Sequence, residues 1–480
     1  MQAKGRGKVS RKQPDEIVKE AVMSQRKSID VLVAEIGSTT TVINAFDGVE
    51  GSDPVFIGQG QARTTVEEGD VGVGLDLALT DLKERLGCAD LEWRDMLATS
   101  SAAGGLRMTV HGLVYDMTVR AAREAALGSG GVIKAVTAGR LRRTDLAKVR
   151  EINPNIILVA GGTDYGERDT ALANFEALSR TVPSIPFIYA GNVENRDEIA
   201  LMAEEAGVRV YFTENVYPKL DQLNIEPTRT LIHQVFEEHI THSPGMARIR
   251  ERVNGAILPT PGAVMQCAIM AQEILGPLIV IDVGGATTDV HSVCEDSPAV
   301  ADVMMEAEPF AKRTVEGDLG VFVNRVHLVE KFSEEEAARL IPQAAYFLEH
   351  ASKIPTAPEE VEFVERLTQK ACDVALDRHA GQFIDLYGPT GRTTLAKGKD
   401  LSLVRTVIGT GGALTRLPGG RDILARALGA GGRRKLMPPK DANILLDGDY
   451  IMASLGALHR RHPTAARRLL LKSLGVEEEA

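Results

Sequence analysis

Apolar residues fall along this chain in short runs that end at glycine, and such runs predict strands followed by tight turns. The first run, VLVAEI (31–36), is followed by a Gly-Ser-Thr turn and a second apolar run at 41–46. The same order recurs in VIDVGGATTDVHSV (280–293). Two strand–turn–strand hairpins of one design, one in each half of the chain, are therefore expected.

The middle of the chain shows a different pattern, in which apolar runs alternate with helical segments. The runs are IILVAGG (156–162), IPFIYAGN (185–192) and VRVYFTEN (208–215). Helices of ordinary length between successive strands predict a parallel sheet, so this segment reads as an inserted Rossmann-like unit. The polar residues Asp164, Asn192 and Asn215 close to these strand ends form a ligand crevice or cap the following helices, and the sequence leaves both open.

The two hairpins carry residues suited to phosphate and magnesium. Each places an acid, Glu35 or Asp282, at the end of an apolar strand and follows it with glycine and a Thr-Thr pair. Glycine lets a backbone approach a phosphate, turn amides and hydroxyls donate to it, and a strand-end carboxylate holds Mg²⁺. Counted along the sequence, the second turn is one residue longer. The predicted phosphate contacts are Gly37, Ser38, Thr39, Thr40, Gly284, Gly285, Thr287 and Thr288.

A third glycine turn lies near the C-terminal end, in VIGTGGALT (407–415). It predicts a strand that runs into a glycine turn opening a helix. Gly409, Gly411 and Gly412 leave room for an adenosine face, or they form a tight strand–helix joint. With the two hairpins, this turn predicts binding of ATP and Mg²⁺ between the halves. Glu35 and Asp282 are the candidate catalytic and metal residues.

The patterns divide the chain into five segments. Residues 1–28 are a polar leader, 29–131 a first subdomain, 132–256 the inserted unit, and 257–460 a second subdomain with a helical insertion at 333–390. Residues 461–480 read as a peripheral charged tail. The segment around Glu316 and Asp318 is either a loop near the cleft or a plain turn.

Composition narrows the class of protein. The net charge of -11 disfavours a general nucleic-acid or anionic-membrane surface. The 4 cysteines are far apart, which indicates a reducing cytoplasm and no zinc site. No apolar run reaches the roughly 18 residues that a membrane helix needs, and no signal peptide is recognisable.

At these motifs the chain resembles the acetate kinase, sugar kinase, Hsp70 and actin superfamily. It is similar within it to the family called MutL or GlmL, through VAEIGSTTTVINAFD, ILVAGGTDYGERD, IPFIYAGN, VIDVGGATTDVHSV, KRTVEGDLG and VIGTGGAL, over residues 30–460. The resemblance implies duplicated actin-like (ribonuclease H-like) α/β ATPase domains around the inserted unit. It also implies two small-residue hinge helices, at 261–268 and 453–457.

The resemblance further implies an ATP-driven reactivating factor of an adenosylcobalamin-dependent mutase, of the glutamate mutase type. A small-molecule kinase and a nucleotide-controlled filament protein use the same clamp and stay open as alternatives. One residue departs from the superfamily, because Glu35 replaces the usual Asp. The extra methylene moves the carboxylate by about 1.5 Å, which predicts slow turnover or altered metal geometry.

Overall fold

The computed structural model describes residues 26–37, 39–65, 70–101, 106–129, 131–220, 222–240, 246–255, 257–338, 344–352, 354–388, 391–429, 431–432 and 434–477. Most of the predicted leader, 1–28, lies outside these ranges. The strands are β1 (Arg26–Ile36), β2 (Thr40–Asp47), β3 (Val55–Arg63), β4 (Asp90–Ser100), β5 (Leu106–Gly112), β6 (Gly131–Ala138), β7 (Ile156–Val159), β8 (Phe187–Tyr189), β9 (Val210–Phe212), β10 (Ile257–Pro259), β11 (Leu278–Val283), β12 (Thr288–Val293), β13 (Ala311–Glu316), β14 (Gln382–Gly388), β15 (Gly391–Lys397), β16 (Thr406–Thr410) and β17 (Asn443–Leu446).

Helices connect these strands. They are α1 (Val71–Leu86), α2 (Arg120–Gly128), α3 (Arg143–Ile152), α4 (Asp169–Thr181), α5 (Arg196–Ala206), α6 (Glu226–Ile240), α7 (Met246–Arg252), α8 (Thr260–Leu275), α9 (Pro298–Ala301), α10 (Arg325–Val329), α11 (Glu334–Ala338), α12 (Ala344–His350), α13 (Pro358–His379), α14 (Gly412–Thr415), α15 (Gly420–Gly429), α16 (Met452–His459) and α17 (Pro463–Leu474). None of the helices in the described part of the chain combines the length and the apolarity that crossing a membrane requires.

Two of the sheets have one topology. The strand order is β3-β2-β1-β4-β10 in the first sheet and β13-β12-β11-β16-β17 in the second. In each, the first three strands pair antiparallel and the last three pair parallel. The chain is therefore an α/β protein built from two copies of an actin-like (ribonuclease H-like) domain, as predicted.

The third large sheet is parallel throughout and has the order β6-β5-β7-β8-β9. It is the predicted Rossmann-like unit, but its boundary at residue 132 is wrong. The strand β5 pairs with β6 on one side and β7 on the other, so the unit's sheet begins at Leu106. The boundary at 257 is wrong too, because β10 pairs with β4 of the first sheet. Pairing between distant segments cannot be read from local apolar patterns.

The helical insertion is shorter than predicted. Helices α11, α12 and α13 lie in this segment, the last of them ends at His379, and β14 begins at Gln382. β14 and β15 then form a separate antiparallel hairpin. The predicted insertion at 333–390 therefore includes the whole of β14 as well as the helices.

The two halves share one core, which is packed around the helices α8, α16 and α17. A side chain at Gly456 of α16 would place its Cβ 1.9 Å from the carbonyl oxygen of Ala263 in α8, so the two hinge helices touch backbone to backbone. The segment after residue 461 is not a peripheral tail, since α17 buries Leu469, Leu470 and Leu474 in this core. Its arginines and lysine occupy the opposite, exposed face, and they dominated the sequence pattern.

Candidate functional site

The two hairpins have equal length, which corrects the count made from the sequence. Glu35 pairs with Val42 across the first hairpin, and Asp282 pairs with Asp289 across the second. Both turns span four residues and close with the same bond, from Gly37 N to Thr40 O at 3.0 Å and from Gly284 N to Thr287 O at 2.9 Å. The two hairpins therefore correspond residue by residue, with the same spacing between the acid, the glycine and the threonines. It matches Glu35 with Asp282, Gly37 with Gly284, Thr40 with Thr287 and Thr41 with Thr288.

The carbonyls of the first turn are held from behind by Thr64, just after β3. Its hydroxyl donates to Gly37 O at 2.8 Å, and its amide donates to Thr39 O at 3.0 Å. Because these oxygens are engaged, the face of the turn that is left for a ligand carries donors rather than acceptors. The predicted contact Ser38 lies outside the described residues.

The second turn is held in the same way by the segment 317–324, so the loop alternative for this region holds. The bonds run from Val321 N to Gly284 O (3.2 Å), from Phe322 N to Gly285 O (2.9 Å) and from Asn324 Nδ2 to Ala286 O (2.7 Å). Among the described residues, no hydrogen-bond partner is found for the amides of Gly285 and Ala286. Free amides on a turn whose carbonyls point away form a concave anion site.

The two turns face each other across a narrow gap. A Cβ built on Gly285 would lie 3.4 Å from Oγ1 of Thr39, which belongs to the first turn. Gly37 also requires glycine, since a Cβ there would lie 2.6 Å from Thr40 O. The turns of the two halves therefore lie next to each other, as the two sides of a clamp on a phosphate group must.

The glycine turn after β16 lies against the second hairpin. Gly411 has a φ of +86°, and a Cβ there would lie 2.6 Å from Oδ1 of Asp282. Gly412 faces open space, with no atom within 4 Å of a built Cβ. Gly409 differs, because it lies inside β16 and a Cβ there would collide with Leu424 at 2.7 Å. The structure gives Gly409 a packing role in place of the predicted adenosine contact.

Glu35 is buried and bonded to the other half of the molecule. Its Oε1 accepts from Asn44 Nδ2 at 3.1 Å, Ser454 N at 2.9 Å and Ser454 Oγ at 2.6 Å. Burial raises the pKa of Glu35 to about 7, and the nearby Asp447 adds to the rise. One oxygen of this predicted metal residue is thus already engaged by protein donors.

Asp282 has a different environment. It is half-buried, and no hydrogen bond from the described residues reaches its carboxylate. Burial raises the pKa of Asp282 to about 7, and the neighbouring carboxylates of Asp289 and Glu35 add to the rise. Unsatisfied oxygens that repel other carboxylates are stabilised by a cation, so the group fits a metal.

Sequence reasoning missed a third acid, Asp447, directly after β17. It accepts from Thr410 Oγ1, Ile451 N and Met452 N at 2.9 Å each, and from Ser473 Oγ at 2.6 Å. The signal was present, since ILLDG (444–448) repeats the order of apolar strand, acid and glycine. Asp447 is fully buried and accepts four hydrogen bonds from the protein, so it supports the elements that surround the site.

No three potential metal ligands come together within the described ranges. This pattern suits Mg²⁺, which keeps most of its waters and binds one or two carboxylates together with substrate phosphates. Asp282 is the carboxylate with free oxygens, and the two turns supply amides for phosphate oxygens. The arrangement can therefore hold a magnesium–phosphate group, with the hinge helices directly behind it.

The polar side chains near the strand ends of the inserted unit make hydrogen bonds within the unit. Asn215 Nδ2 donates to Asp164 Oδ1 at 2.9 Å, and Asn192 Oδ1 accepts from Tyr165 N at 3.1 Å. Asn192 also accepts from Glu194 N at 3.1 Å, as a capping residue does. Asn192 therefore caps the short helix Val193–Asn195, whereas Asp164 and Asn215 bond to each other, and the ligand crevice stays a prediction.

Comparison with known proteins identifies a family for this chain and two solved structures with distant similarity to it. A family model described as MutL protein matches residues 31–474. Protein MutL of Clostridium tetanomorphum is 35% identical over 459 residues, covering 92% of this chain and 98% of that protein. Nucleotide-free acetone carboxylase is 14% identical with a TM-score of 0.37, over 89% of this chain and 70% of that one. A nucleotide-free diol dehydratase-reactivating factor is 11% identical with a TM-score of 0.32, over 90% of this chain and 99% of that one. Structural likenesses this distant do not bear on activity.

Proposed function

This chain belongs to the MutL protein family, and on that premise we propose that it is an ATP-dependent accessory protein of an adenosylcobalamin-dependent mutase. The mutase is of the glutamate mutase type, as the sequence resemblance implies. Closing and opening of the nucleotide cleft promotes the exchange of damaged cobalamin on that enzyme. The protein itself is a slow ATPase.

This proposal is supported by one main observation. The two matched turns face each other in front of the hinge helices. The turns hold their carbonyls away from the cleft and come close enough that Gly285 nearly touches Thr39. A phosphate group gripped by both turns ties the halves together, and its release lets them separate. Because α8 and α16 touch backbone to backbone, such a motion is transmitted through the core that both halves share.

Each group of residues has its own role in the proposed site. The amides of Gly285 and Ala286 and the hydroxyl of Thr39 bind phosphate oxygens. Asp282 would hold Mg²⁺, which would neutralise phosphate charge, while the turn at Gly411 keeps the adenosine side of the cleft open. With one oxygen of Glu35 committed to Ser454, few groups are left to orient an attacking water. Slow hydrolysis suits a switch that must stay closed while a partner rearranges.

Reactivation of a mutase tests the function directly. We expect glutamate mutase that is blocked by bound cyanocobalamin to regain activity when this protein, ATP, Mg²⁺ and free adenosylcobalamin are added together. Omitting ATP or Mg²⁺ should abolish the recovery, and mutase turnover is the measurement. If the complete mixture restores no more activity than free coenzyme alone, the accessory function is wrong.

Replacing Asp282 tests the site itself. Asp282→Asn should weaken binding of Mg²⁺–ATP about tenfold while leaving metal-free ATP binding nearly unchanged, because the lost charge faces the metal. Isothermal titration with and without Mg²⁺ measures both affinities.

The same affinity should also depend on pH. Since Glu35 and Asp282 each have a pKa of about 7, the wild-type affinity for Mg²⁺–ATP should rise between pH 6 and pH 8 as the carboxylates ionise. The variant should show a shallower rise. Equal Mg²⁺ dependence in both proteins would contradict the assignment.

A further inference from the structure

The N-terminus of helix α16 is capped by two carboxylates from different halves of the molecule. Its N-cap residue is Ile451, whose side chain offers no acceptor. Asp447, from the second half, accepts the amides of Ile451 and Met452 at 2.9 Å each. Glu35, from the first half, accepts the amide of Ser454 at 2.9 Å. Helix amides without acceptors are costly when buried, so both carboxylates stabilise this end of α16.

The length of the Glu35 side chain matters for this contact. The carboxylate reaches both the amide and the hydroxyl of Ser454, at 2.9 and 2.6 Å. An aspartate on the same backbone would end about 1.5 Å short, which is beyond hydrogen-bonding distance. The length of the glutamate side chain is therefore what makes the bond between the halves.

Further hydrogen bonds extend the contact across both halves. Asn44 Nδ2 donates to Ser454 Oγ at 2.9 Å, and Gln59 Nε2 donates to Asn44 Oδ1 at 2.8 Å. Arg416, directly after α14 in the second half, donates to Gln59 Oε1 at 2.7 Å. These hydrogen bonds form a path that runs from α16 through β2 and β3 and returns to the adenosine side of the cleft. Each link is buried or half-buried except the last, so the path acts as one unit with Glu35 at its centre.

We propose that Glu35 is a positioning residue that latches the cleft, capping α16 from the opposite half only when the two phosphate turns face each other. This inference rests on the proposed nucleotide site and adds how that site is kept closed. The bond between Glu35 and Ser454 requires the present orientation of the halves, and so does the approach of Gly285 to Thr39. Any rotation that opens the turns breaks the cap. The latch and a bound nucleotide therefore favour the same closed state, and each stabilises the other.

The chain offers a matched control. Ser473 donates its hydroxyl to Asp447 at 2.6 Å, the same length as the bond from Ser454 to Glu35, but within the second half. Ser454→Ala and Ser473→Ala each delete one buried hydroxyl that bonds a capping carboxylate. Only the first deletion removes a bond that crosses the cleft.

The test combines two measurements on Glu35→Asp, Ser454→Ala, their double variant and Ser473→Ala. One is the release rate of N-methylanthraniloyl-ATP with Mg²⁺, and the other is the radius of gyration of the nucleotide-free protein by X-ray scattering. We expect the first two variants to release the analogue about tenfold faster, as loss of one buried bond to a charged group predicts. They should also show a larger radius of gyration. The double variant should match the single ones, and Ser473→Ala should match the wild type.

The outcomes separate this inference from the proposed function. If the wild type binds the analogue but the cross-cleft variants release it at the wild-type rate with an unchanged radius, the latch does not exist. Acceleration by Ser473→Ala equal to that of Ser454→Ala would overturn it as well, since any lost cap would then suffice. If the wild type binds no nucleotide while Glu35→Asp and Ser454→Ala still expand, the latch stands and the nucleotide site fails.

Discussion

Gly456→Ala should destabilise the protein by about 3 kcal/mol, at the upper end of the usual cost of overpacking a core. The cause is the contact between the hinge helices, where a Cβ on Gly456 would lie 1.9 Å from Ala263 O. Helix propensity acts in the opposite direction, since alanine is favoured over glycine by about 1 kcal/mol in a helix interior. The collision is with backbone, which cannot rotate away, so the helices must separate. Urea unfolding followed by circular dichroism measures the difference.

A second glycine isolates the effect of the contact. Gly429, the last residue of α15, is exposed, and a Cβ there would have no atom within 4 Å. Gly429→Ala should therefore leave stability unchanged or raise it slightly. Separated helices should also loosen the cleft, so Gly456→Ala should bind ATP more weakly than the control. Equal stability of the two variants would show that the hinge helices do not pack this closely.

Local chemistry of the site could be read from the sequence because each hairpin is a contiguous segment. The acid, the glycine and the threonines of Glu35 to Thr41 hold their relation through strand geometry alone. The same geometry explains why the count of the second turn was wrong. Only the pairing of Asp282 with Asp289 shows where the strand ends and the turn begins.

Contacts between distant segments cannot be predicted from local sequence patterns in this way. Ser454 lies 419 positions from Glu35, and Ser473 lies 26 from Asp447 on the far side of a helix. Neither is marked by a motif, because a serine in an apolar helix is common. The prediction of a peripheral C-terminal segment is wrong for a related reason, since its charged residues are prominent in the sequence while the leucines that bury it are spaced along one helix face. Tertiary packing decides such cases.

Asp289→Ala should cost about 3 to 5 kcal/mol, which is typical of breaking a buried ion pair by removing one partner. Asp289 and Arg313 are 5% and 1% exposed, and their charged groups lie 2.8 Å apart. Arg313 also donates to Leu127 O at 2.8 Å, at the end of α2. Without the aspartate, a guanidinium charge remains between the halves, and its remaining hydrogen bond among the described residues is to the neutral carbonyl of Leu127. Urea unfolding against the wild type gives the magnitude.

An exposed pair of the same length provides the control. Glu362 and Arg366 also lie 2.8 Å apart, but on the surface of α13, where such pairs contribute about 0.5 kcal/mol or less. Glu362→Ala should therefore be nearly neutral, and a loss of stability equal to that of Asp289→Ala would contradict the burial argument.

The buried pair also affects the site, because Asp289 helps to raise the pKa of Asp282 while Arg313 lowers it. Asp289→Ala removes the first influence and leaves the second, so Asp282 should ionise at lower pH. The rise of Mg²⁺–ATP affinity with pH should then shift below its wild-type midpoint, which a loss of stability alone would not produce.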